Sequence, residues 1–524
     1  MDRNRRSVLI SAAAAAVATA SAGAARAGAA LDAPSQPELA PRADIPVVAG
    51  YAELRAYVGT AEVLFVTEPR DERGTRIAGW FARDGQDAST PDNGGTVVVD
   101  ANGCRWKRVY SGLASVKWFG ARGDGTTDDT QACKAAIVAT DFLFWDPGTY
   151  VVECTSQGAA LLVVSKSGLH WSGYGATIQA KAGSTGKGYC WICRIRVSRN
   201  VVIEGLTIDG NRANRPQPFH SASHCLFIEG GSDIVLRDIA MVNSTFDGIC
   251  ISANSPRILA QYPNKMLLAN VVVENAYRNG LSITGGHGIT IRGGRFSGTN
   301  GTLPEAGIDI EPDDSIIYSV KEVLVDGTVL SDNAGTGLVL TGNVPPRGYR
   351  SENVTVTKIS GSNNRGGLVH VSRVSNCSLT DVAVANDQVD PSMPGIVYVD
   401  PTALNVRLRG LSFTSPSGVR KPCIYIDAAA AHHVHADAIS GTDLRGPLLV
   451  AASPVHVSNV HVQGDAGSGA AVELREGAVN STLWNVAVHN KPSGSPIRVL
   501  ARDASISGVS LTECGQGVEM RGSE

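Results

Sequence analysis

Two carboxylates lie two residues apart in a short apolar segment, and this pair is the part of the sequence best suited to chemistry. Asp309 and Glu311 alternate with Ile308 and Ile310. Successive side chains of a strand point to opposite faces, so both carboxylates share one face, with Cα atoms about 6.5–7 Å apart. Crowding of like charges raises the pKa of one carboxyl group and keeps it protonated. The spacing therefore predicts a general acid and a general base of the kind that hydrolyse glycosidic bonds with inversion.

A third acid and a second use of the cluster stay open. Asp247 precedes Gly248 two repeats earlier, roughly 10 Å away at about 4.8 Å per coil, and is the reserve catalytic residue. Alternatively, Asp309, Glu311 and Asp313 form a Ca²⁺ site, because calcium prefers carboxylate oxygens. Apart from that cation, the sequence implies no cofactor.

The acidic segment belongs to a repeat that predicts how it is held. A small or turn-forming residue followed by an apolar one recurs roughly every 30 residues, a period typical of stacked units. The members are Cys225-Leu226, Gly248-Ile249, Gly280-Leu281, Gly307-Ile308, Gly337-Leu338, Gly367-Leu368, Gly395-Ile396 and Cys423-Ile424. Because each unit consists of two or three short strands separated by turns, we expect an all-β fold, a parallel β-helix of about ten coils.

The same alternation predicts two outward columns beside the acids. The first contains Cys250, Ser282, Asp309 and Val339, and the second contains Ser252, Thr284, Glu311 and Thr341. If Val369 and Val371 point inward, the columns continue through His370, Tyr398 and Tyr425, and through Asp400 and Asp427. Acids at the centre and aromatic rings at one end are typical of a polysaccharide track, so His370, Tyr398 and Tyr425 are candidate sugar contacts.

Three cationic side chains are further candidates for substrate binding. Arg278 lies one repeat before the acidic pair, and Arg212 and His220 lie in an irregular segment that leaves the stack. Either this segment folds over the groove and contributes Arg212 and His220, or its Asp209 and Asn211 only form a turn.

An upstream motif resembles a known family. Phe119-Gly120-Ala121, Gly123-Asp124-Gly125 and Thr127-Asp128-Asp129-Thr130 resemble the entry motif of the pectate-lyase/polygalacturonase-like right-handed β-helix superfamily, and Asp92–Lys107 resembles the segment preceding it in tailspike-like members. The resemblance implies a right-handed coil and activity on polysaccharides. We expect the acids of this motif to be structural, because they can cap the helix predicted at residues 131–138, which then covers the open end of the coil.

The catalytic motifs of polygalacturonases are not reproduced. Where that branch has two consecutive aspartates, the chain has Arg278-Asn279, and Gly286-His287-Gly288 falls on a different strand, so His287 is predicted to be a turn residue. A lyase needs a basic residue, with Ca²⁺ or arginine neutralising a uronate. Arg278, His370 and Arg373 are the available bases, which keeps β-elimination as the second hypothesis.

The N-terminus predicts export. Arg5-Arg6 precedes an Ala-rich apolar stretch, the pattern of a twin-arginine signal peptide over residues 1–30, so we expect a periplasmic or secreted protein. A Pro-rich linker over 31–46, a small segment over 47–112 and the β-helix over 113–524 complete the predicted organisation.

Composition excludes several classes of partner. Charged residues make up 18% of the chain, the formal net charge is −3 and there is no long basic run, which argues against nucleic acid and anionic membranes. A polysaccharide is the expected partner, without membrane insertion, and both monomer and homotrimer stay open. The pair Cys190 and Cys193 is predicted to be structural or to form a local disulfide. A non-catalytic glycan-binding protein is the third functional hypothesis.

Overall fold

The protein is represented by a computed structural model that describes most of the chain. The described residues are 45–67, 77–154, 158–184, 190–216, 223–255, 258, 261–312, 318–342, 351–385, 389–390, 392–414, 421–427, 434–465, 467 and 469–521. The predicted signal peptide, nearly all of the predicted linker, His220 and Asp313 lie outside them. The described residues form two compact units: one includes those from 45 to Arg122 together with Gln131–Phe144, and the other includes Gly123–Thr130 and the described residues from Trp145 onward.

The first unit contains a five-stranded sheet around its own core. Its elements are β1 Val47–Val48, α1 Tyr51–Ala56, β2 Val63–Val66, β3 Gly79–Asp84, β4 Val97–Val99 and β5 Arg105–Arg108, in the sheet order β1-β2-β3-β5-β4. Alternating apolar residues point to one side, where Leu54, Leu64, Phe81 and Trp106 are fully buried. Trp106 donates its Nε1–H to Asp100 Oδ2 at 3.0 Å, so the buried indole is also satisfied.

The entry motif forms structural hydrogen bonds. Its elements are β6 Ala114–Ser115, a 3₁₀ helix Val116–Phe119, β7 Asp124–Asp128, α2 Thr130–Ala139 and β8 Phe142–Phe144. Asp124 accepts from the backbone N–H groups of Thr126 and Thr127, and Asp128 accepts from that of Thr130 at the start of α2. These bonds agree with the structural role expected for the acids of this motif.

The second unit is built from short strands that repeat along the chain. They are β9 Gly148–Val152, β10 Gly158–Val164, β11 His170–Ala180, β12 Cys190–Arg196, β13 Arg199–Asp209, β14 Leu226–Glu229, β15 Ser232–Arg237, β16 Ala240–Val242, β17 Ile249–Ser252, β18 Asn264–Ala269, β19 Val272–Glu274, β20 Leu281–Ile283, β21 Gly286–Arg292, β22 Arg295–Ser297, β23 Ile308–Ile310, β24 Val320–Asp326, β25 Val329–Ser331, β26 Leu338–Leu340, β27 Ser351–Thr357, β28 Ser360–Ser362, β29 Val369–Val371, β30 Val374–Thr380, β31 Ala383–Ala385, β32 Val397–Val399, β33 Leu404–Arg409, β34 Ser412–Thr414, β35 Ile424–Ile426, β36 Val434–Leu444, β37 Leu449–Ala451, β38 Val455–Asp465, β39 Val472–Leu474, β40 Thr482–Lys491, β41 Ile497–Val499, β42 Ser505–Cys514 and β43 Glu519–Met520. A 3₁₀ helix, Arg212–Asn214, follows β13.

These strands stack in parallel and form the predicted β-helix. One fourteen-stranded sheet, called here the front sheet, has the order β10-β12-β14-β17-β20-β23-β26-β29-β32-β35-β37-β39-β41-β43. In the middle of the chain each coil has one front strand and two further strands, such as β20, β21 and β22. From β36 onward the two further strands merge into one long strand, which explains why the repeat shortens toward the C-terminus. We call the stack containing β30, β33, β36, β38 and β40 the back sheet.

The inward ladder that sets the register of the front sheet is confirmed. Ile249, Leu281, Ile308 and Leu338 pair in succession and all four are fully buried. The next member is Val369 rather than the Leu368 of the sequence pattern, because both residues are buried but Val369 takes the paired position. His370 therefore points outward, which resolves the ambiguity of one residue in the predicted register.

None of the ten cysteines forms a disulfide in the structure, so the predicted local disulfide is wrong. Cys190 and Cys193 are buried, and Cys190 accepts a hydrogen bond from Arg215 Nη2 at 3.2 Å. Their structural role lies in packing the coil. Within the described ranges, no helix is long and apolar enough to cross a bilayer.

Candidate active site

The acidic residues lie on the outer face of the front sheet, in the predicted column. Cys250, Ser282, Asp309 and Val339 are paired in successive strands β17, β20, β23 and β26. The flanking residues Ile308 and Ile310 are fully buried in the coil. The alternation of strand side chains thus places Asp309 outward, as the sequence predicts.

Asp309 nevertheless is not solvent-exposed, although its place in an outward column predicts that it is. Asp309 retains 1% of its accessible surface, whereas Glu311 is exposed. The turn before the neighbouring strand explains the difference, because Asn279 reaches over the column and donates its Nδ2–H to Asp309 Oδ2 at 2.9 Å. An outward position on a strand is open to water only where no turn side chain covers it.

Asn279 and Ser282 connect Asp309 with the third acid, Asp247. Ser282 Oγ donates to Asp247 Oδ2 at 2.9 Å, and Asn279 Nδ2 lies 3.1 Å from Ser282 Oγ. The amide oxygen of Asn279 accepts from the backbone N–H of Ala306 at 2.9 Å, which fixes its orientation. The reserve residue is therefore part of the same buried hydrogen-bonded network as the leading acid.

Positive charge and donors converge on the carboxylate of Asp247. Arg278 Nε lies 3.1 Å from Asp247 Oδ1, and the backbone N–H of Asn279 lies 3.2 Å from the same oxygen. The guanidinium also stacks on the ring of Phe246, 4.8 Å from its centroid. Arg278 is thus committed to Asp247 and to an aromatic ring rather than presented freely to a ligand.

The environment of Asp309 favours its protonated form. Burial, with a smaller contribution from the nearby charge of Glu311, raises the pKa of Asp309 to about 7. Its Oδ1 atom is buried and has no hydrogen-bond partner among the described residues. Since Oδ2 accepts from Asn279, the proton belongs on Oδ1, where it has no acceptor of its own.

A group of possible metal ligands overlaps this network. One donor atom each from His224, Asp247 and Cys250 lie within 4.8 Å of one another, and all three residues are buried. His224 Nδ1 is 3.4 Å from Asp247 Oδ2, and burial lowers the pKa of His224 to about 4. However, Asp247 already accepts from Ser282, and the adjacent Arg278 cation opposes a divalent metal ion. The Ca²⁺ site expected at Asp309, Glu311 and Asp313 stays a prediction.

The predicted aromatic continuation of the column is confirmed in its register. His370, Tyr398 and Tyr425 are paired in strands β29, β32 and β35. The ring centroids of His370 and Tyr398 lie 4.9 Å apart, and those of Tyr398 and Tyr425 lie 6.0 Å apart. Tyr398 donates to Asp427 Oδ2 at 2.7 Å, and Arg475 Nη1 lies 3.1 Å from the Tyr425 hydroxyl. These contacts hold the rings in a continuous row.

A second aromatic group, which sequence reasoning missed, lies on the other side of the acids. The rings of Trp191 and Phe227 stack at 5.3 Å, and the Arg194 guanidinium lies 4.4 Å from the Trp191 centroid. Phe227 pairs with Cys250, so it belongs to the same column as Asp309. The alternation of Leu226, Phe227 and Ile228 is the sequence signal that predicts an outward Phe227.

The other predicted contacts have different placements. Arg212 stacks on Tyr277 at 5.2 Å and bonds to Asn300, beside the turn that carries Arg278. His287 lies in β21 on another face, where it stacks on Tyr262 at 5.1 Å. His287 is therefore a strand residue rather than the predicted turn residue. As expected, it lies on a different strand of the coil from the acids.

Family models match two regions of the chain. Residues 192–381 match the right handed beta helix region, and residues 47–111 match the phage tail protein small four-stranded beta-sheet domain. The curated protein YclG of Bacillus subtilis, which is uncharacterised, is 26% identical over 258 residues, or 43% of this chain. The chain thereby spans 44% of the length of YclG.

Solved structures share the architecture at low sequence identity. The tailspike protein gp49 of Acinetobacter baumannii bacteriophage Fri1, a capsular polysaccharide depolymerase, is 13% identical with a TM-score of 0.53, over 80% of this chain and 75% of that one. PfbA, a surface adhesin of Streptococcus pneumoniae, is 12% identical with a TM-score of 0.50, over 70% of this chain and 92% of that one. Likeness at such identity concerns the fold alone. Together with the parallel coils and the matched region 192–381, it agrees on a right-handed parallel β-helix fold for this chain.

Proposed function

We propose that the protein is a polysaccharide-cleaving enzyme that acts by inverting hydrolysis on the outer face of the front sheet. The observation that carries this proposal is that two neighbouring carboxyl groups have different environments. Asp309, in β23, is buried and has a raised pKa, whereas Glu311, just after the end of β23, is exposed. Two carboxyl groups whose environments differ in this way are suited to opposite roles in acid–base catalysis. The depolymerase activity named for the Fri1 tailspike supports a glycan substrate on this architecture.

In the proposed reaction Asp309 is the general acid and Glu311 is the general base. Because Asp309 is 1% exposed, the Asn279 side chain that covers it must first move aside. Asp309 Oδ1 then transfers its proton to the glycosidic oxygen as the bond from that oxygen to the anomeric carbon breaks. Water attacks the anomeric carbon from the opposite face and gives its proton to Glu311. The Cα atoms of strand residues i and i+2 lie about 6.5–7 Å apart, a spacing that leaves room between the two side chains for the water that inversion requires. Proton exchange with solvent then restores both groups.

Asp247 has a positioning role in this proposal. It holds Arg278 and Ser282, and through Ser282 and Asn279 it fixes the carboxyl group of Asp309. The partly exposed rings of Tyr398 and Tyr425 supply flat apolar faces on one side of the acids. Such faces suit the C–H surfaces of sugar rings.

Product analysis separates this reaction from the alternative of β-elimination. Hydrolysis adds water, whereas a lyase leaves an unsaturated uronate, so the products differ in mass by one water. We expect water-added products from a panel of bacterial exopolysaccharides and plant pectins, and no dependence on Ca²⁺. The commitment of Arg278 to Asp247 favours this outcome, because a lyase needs a cation free to neutralise the uronate. Dehydrated products, or activity lost to a chelator and restored by Ca²⁺, would replace hydrolysis by elimination.

A non-catalytic glycan-binding protein is the second candidate, favoured by the likeness to the adhesin PfbA. The two candidates differ in one measurement. If no glycan of the panel is cleaved but one binds, and binding is equal in wild type and Asp309→Asn, the adhesin-like function is correct.

The proposed enzyme acts outside the cytoplasm. Arg5-Arg6 before an Ala-rich stretch supports a twin-arginine route, and the tailspike likeness supports an extracellular glycan. Replacement of both arginines by lysine is expected to leave folded precursor in the cytoplasm. Normal export of the Lys-Lys variant would indicate the general secretory route instead.

A further inference from the structure

The back sheet carries a concave surface distant in sequence from the acids. A cavity of about 570 Å³ is lined by Asn376, Cys377, Ser378, Asn405, Arg407 and His435. These residues belong to β30, β33 and β36, none of which is a strand of the front sheet. The volume lies in the range of pockets that bind small molecules or sugars.

The lining of this cavity includes a cation without a counter-ion. Arg407 is exposed and has no ion pair or hydrogen bond among the residues that the structure describes. None of the lining residues is acidic. Asp437, which pairs in register with Arg409 two residues after Arg407, already accepts from Ser458 and Asn459. Arg407 is therefore available to an anion, and its planar guanidinium suits a carboxylate.

Aromatic side chains extend the surface along the stack. Arg407 pairs with His435, His435 with His456, and His456 with Thr482 in consecutive coils. The imidazole rings of His435 and His456 stack at 5.0 Å. Three coil steps separate Arg407 from Thr482, or about 14 Å. That length suits an oligosaccharide better than a single inorganic anion.

An exposed tryptophan lies at the far end of this row. Trp484 follows Thr482 by two residues on the same strand face and keeps 55% of its surface exposed. A large aromatic ring left open to water is costly unless it contacts a ligand, and its flat face suits sugar rings. One face of the back sheet thus carries, in order, the guanidinium of Arg407, the stacked imidazoles of His435 and His456, and the exposed indole of Trp484.

We propose that the row from Arg407 to Trp484 is a second, non-catalytic binding site for an acidic glycan chain. Arg407 binds a carboxylate substituent of one sugar, and Trp484 stacks on another. This site does not depend on hydrolysis at Asp309, because it lies on a different sheet and its test measures binding alone.

Tryptophan fluorescence of the full chain in the Asp309→Asn background tests the proposal, since the ligand then stays intact. The probes are a hexamer of galacturonate, a neutral cellohexaose and inorganic sulfate. We expect the galacturonate hexamer to quench the fluorescence and Trp484→Phe to remove that quench. Arg407→Ala should weaken binding at least five-fold, whereas Arg292→Ala, an exposed arginine elsewhere on the coil, should leave it unchanged.

Three results would overturn the proposal. One is unchanged affinity in Arg407→Ala, and another is equal binding of cellohexaose. The third is a sulfate-induced quench of the same size, which would reduce the surface to a site for simple anions. Because Arg407 and Trp484 are exposed, both variants should fold, and their circular dichroism spectra check this.

Discussion

Two stretches of one column on the front sheet have the same register but different chemistry. Between Cys250 and Asp309 the outward residues are small or acidic and buried. Between His370 and Tyr425 they are aromatic and only partly buried. The backbone pairing is parallel and continuous through both stretches, so the strands alone do not account for the difference.

The turn before each strand accounts for it. Asp247 and Asn279 precede the glycines that open β17 and β20, and their side chains fold over the column. The corresponding residues farther along are Gly366, Pro394 and Pro422, which have no polar side chain to place there. A repetitive fold thus acquires a polar site where turn residues depart from the repeat, and an open aromatic row where they do not.

The largest expected effect is a loss of turnover when Asp309, in the buried acidic stretch, is replaced. Asp309→Asn should lower turnover by about 10²–10⁴-fold, because the amide cannot donate the acid's proton to the leaving oxygen. Thermal stability should not fall, since the variant removes a buried ionisable group with an unpaired oxygen. The matched control is Asp326→Asn, on another face, which should keep full turnover. Equal loss in both variants would remove Asp309 from the mechanism.

The second prediction separates catalysis from support within the same stretch. Asp247→Asn should destabilise the fold by roughly 3–5 kcal/mol, because it leaves the Arg278 cation largely buried without its partner. Glu311→Gln should lower turnover with little change in melting temperature, because Glu311 is exposed. Urea unfolding measures the first effect and kinetics measure the second. The reverse pattern would make Asp247 the base and Glu311 a surface residue.

The strands and their register follow from the sequence because they depend on local alternation. Ile308 and Ile310 are two residues apart and apolar, so the alternation of a strand predicts that both point into the core and that the residues between and after them point outward. The same rule located Asp309, Tyr398 and Tyr425 in one column. For this reason the sequence alone predicts both the fold and the column of outward residues that contains the candidate site.

The burial of Asp309 could not be read in the same way. It depends on how Asn279 and Ser282, about 30 residues upstream, orient their side chains across coils, and alternation within one strand does not specify this. Asp247 illustrates the same limit: its position was expected about two coils away, but its bonds to Ser282 and Arg278 were not. Contacts between coils thus decide the electrostatics of the site.

The third prediction concerns the pH dependence of stability that the buried Asp309 produces. The pKa of Asp309 rises from 3.8 to about 7 on folding, so the folded protein binds the proton more tightly than the unfolded chain. The stabilising contribution of this group is therefore fully present below about pH 4 and is lost as the pH rises through about 7. Asp309→Asn should lack this dependence. Urea unfolding of both proteins at several pH values between 4 and 8 measures the difference, and parallel curves would contradict the raised pKa.

The smallest expected effect concerns the aromatic stretch. Tyr398→Ala and Tyr425→Ala should each weaken substrate binding by about 3–10-fold, the equivalent of roughly 0.5–1.5 kcal/mol for one stacking contact. The rate at saturating substrate should stay near that of the wild type, because these rings lie outside the acid network and contact the chain beyond the cleaved bond. Tyr174→Ala, an exposed tyrosine on another face, is the control. Steady-state kinetics on a long and a short glycan separate the possibilities, since the short substrate does not reach Tyr425. Equal losses on both substrates would mean that the rings support the fold of the front sheet and do not bind sugar.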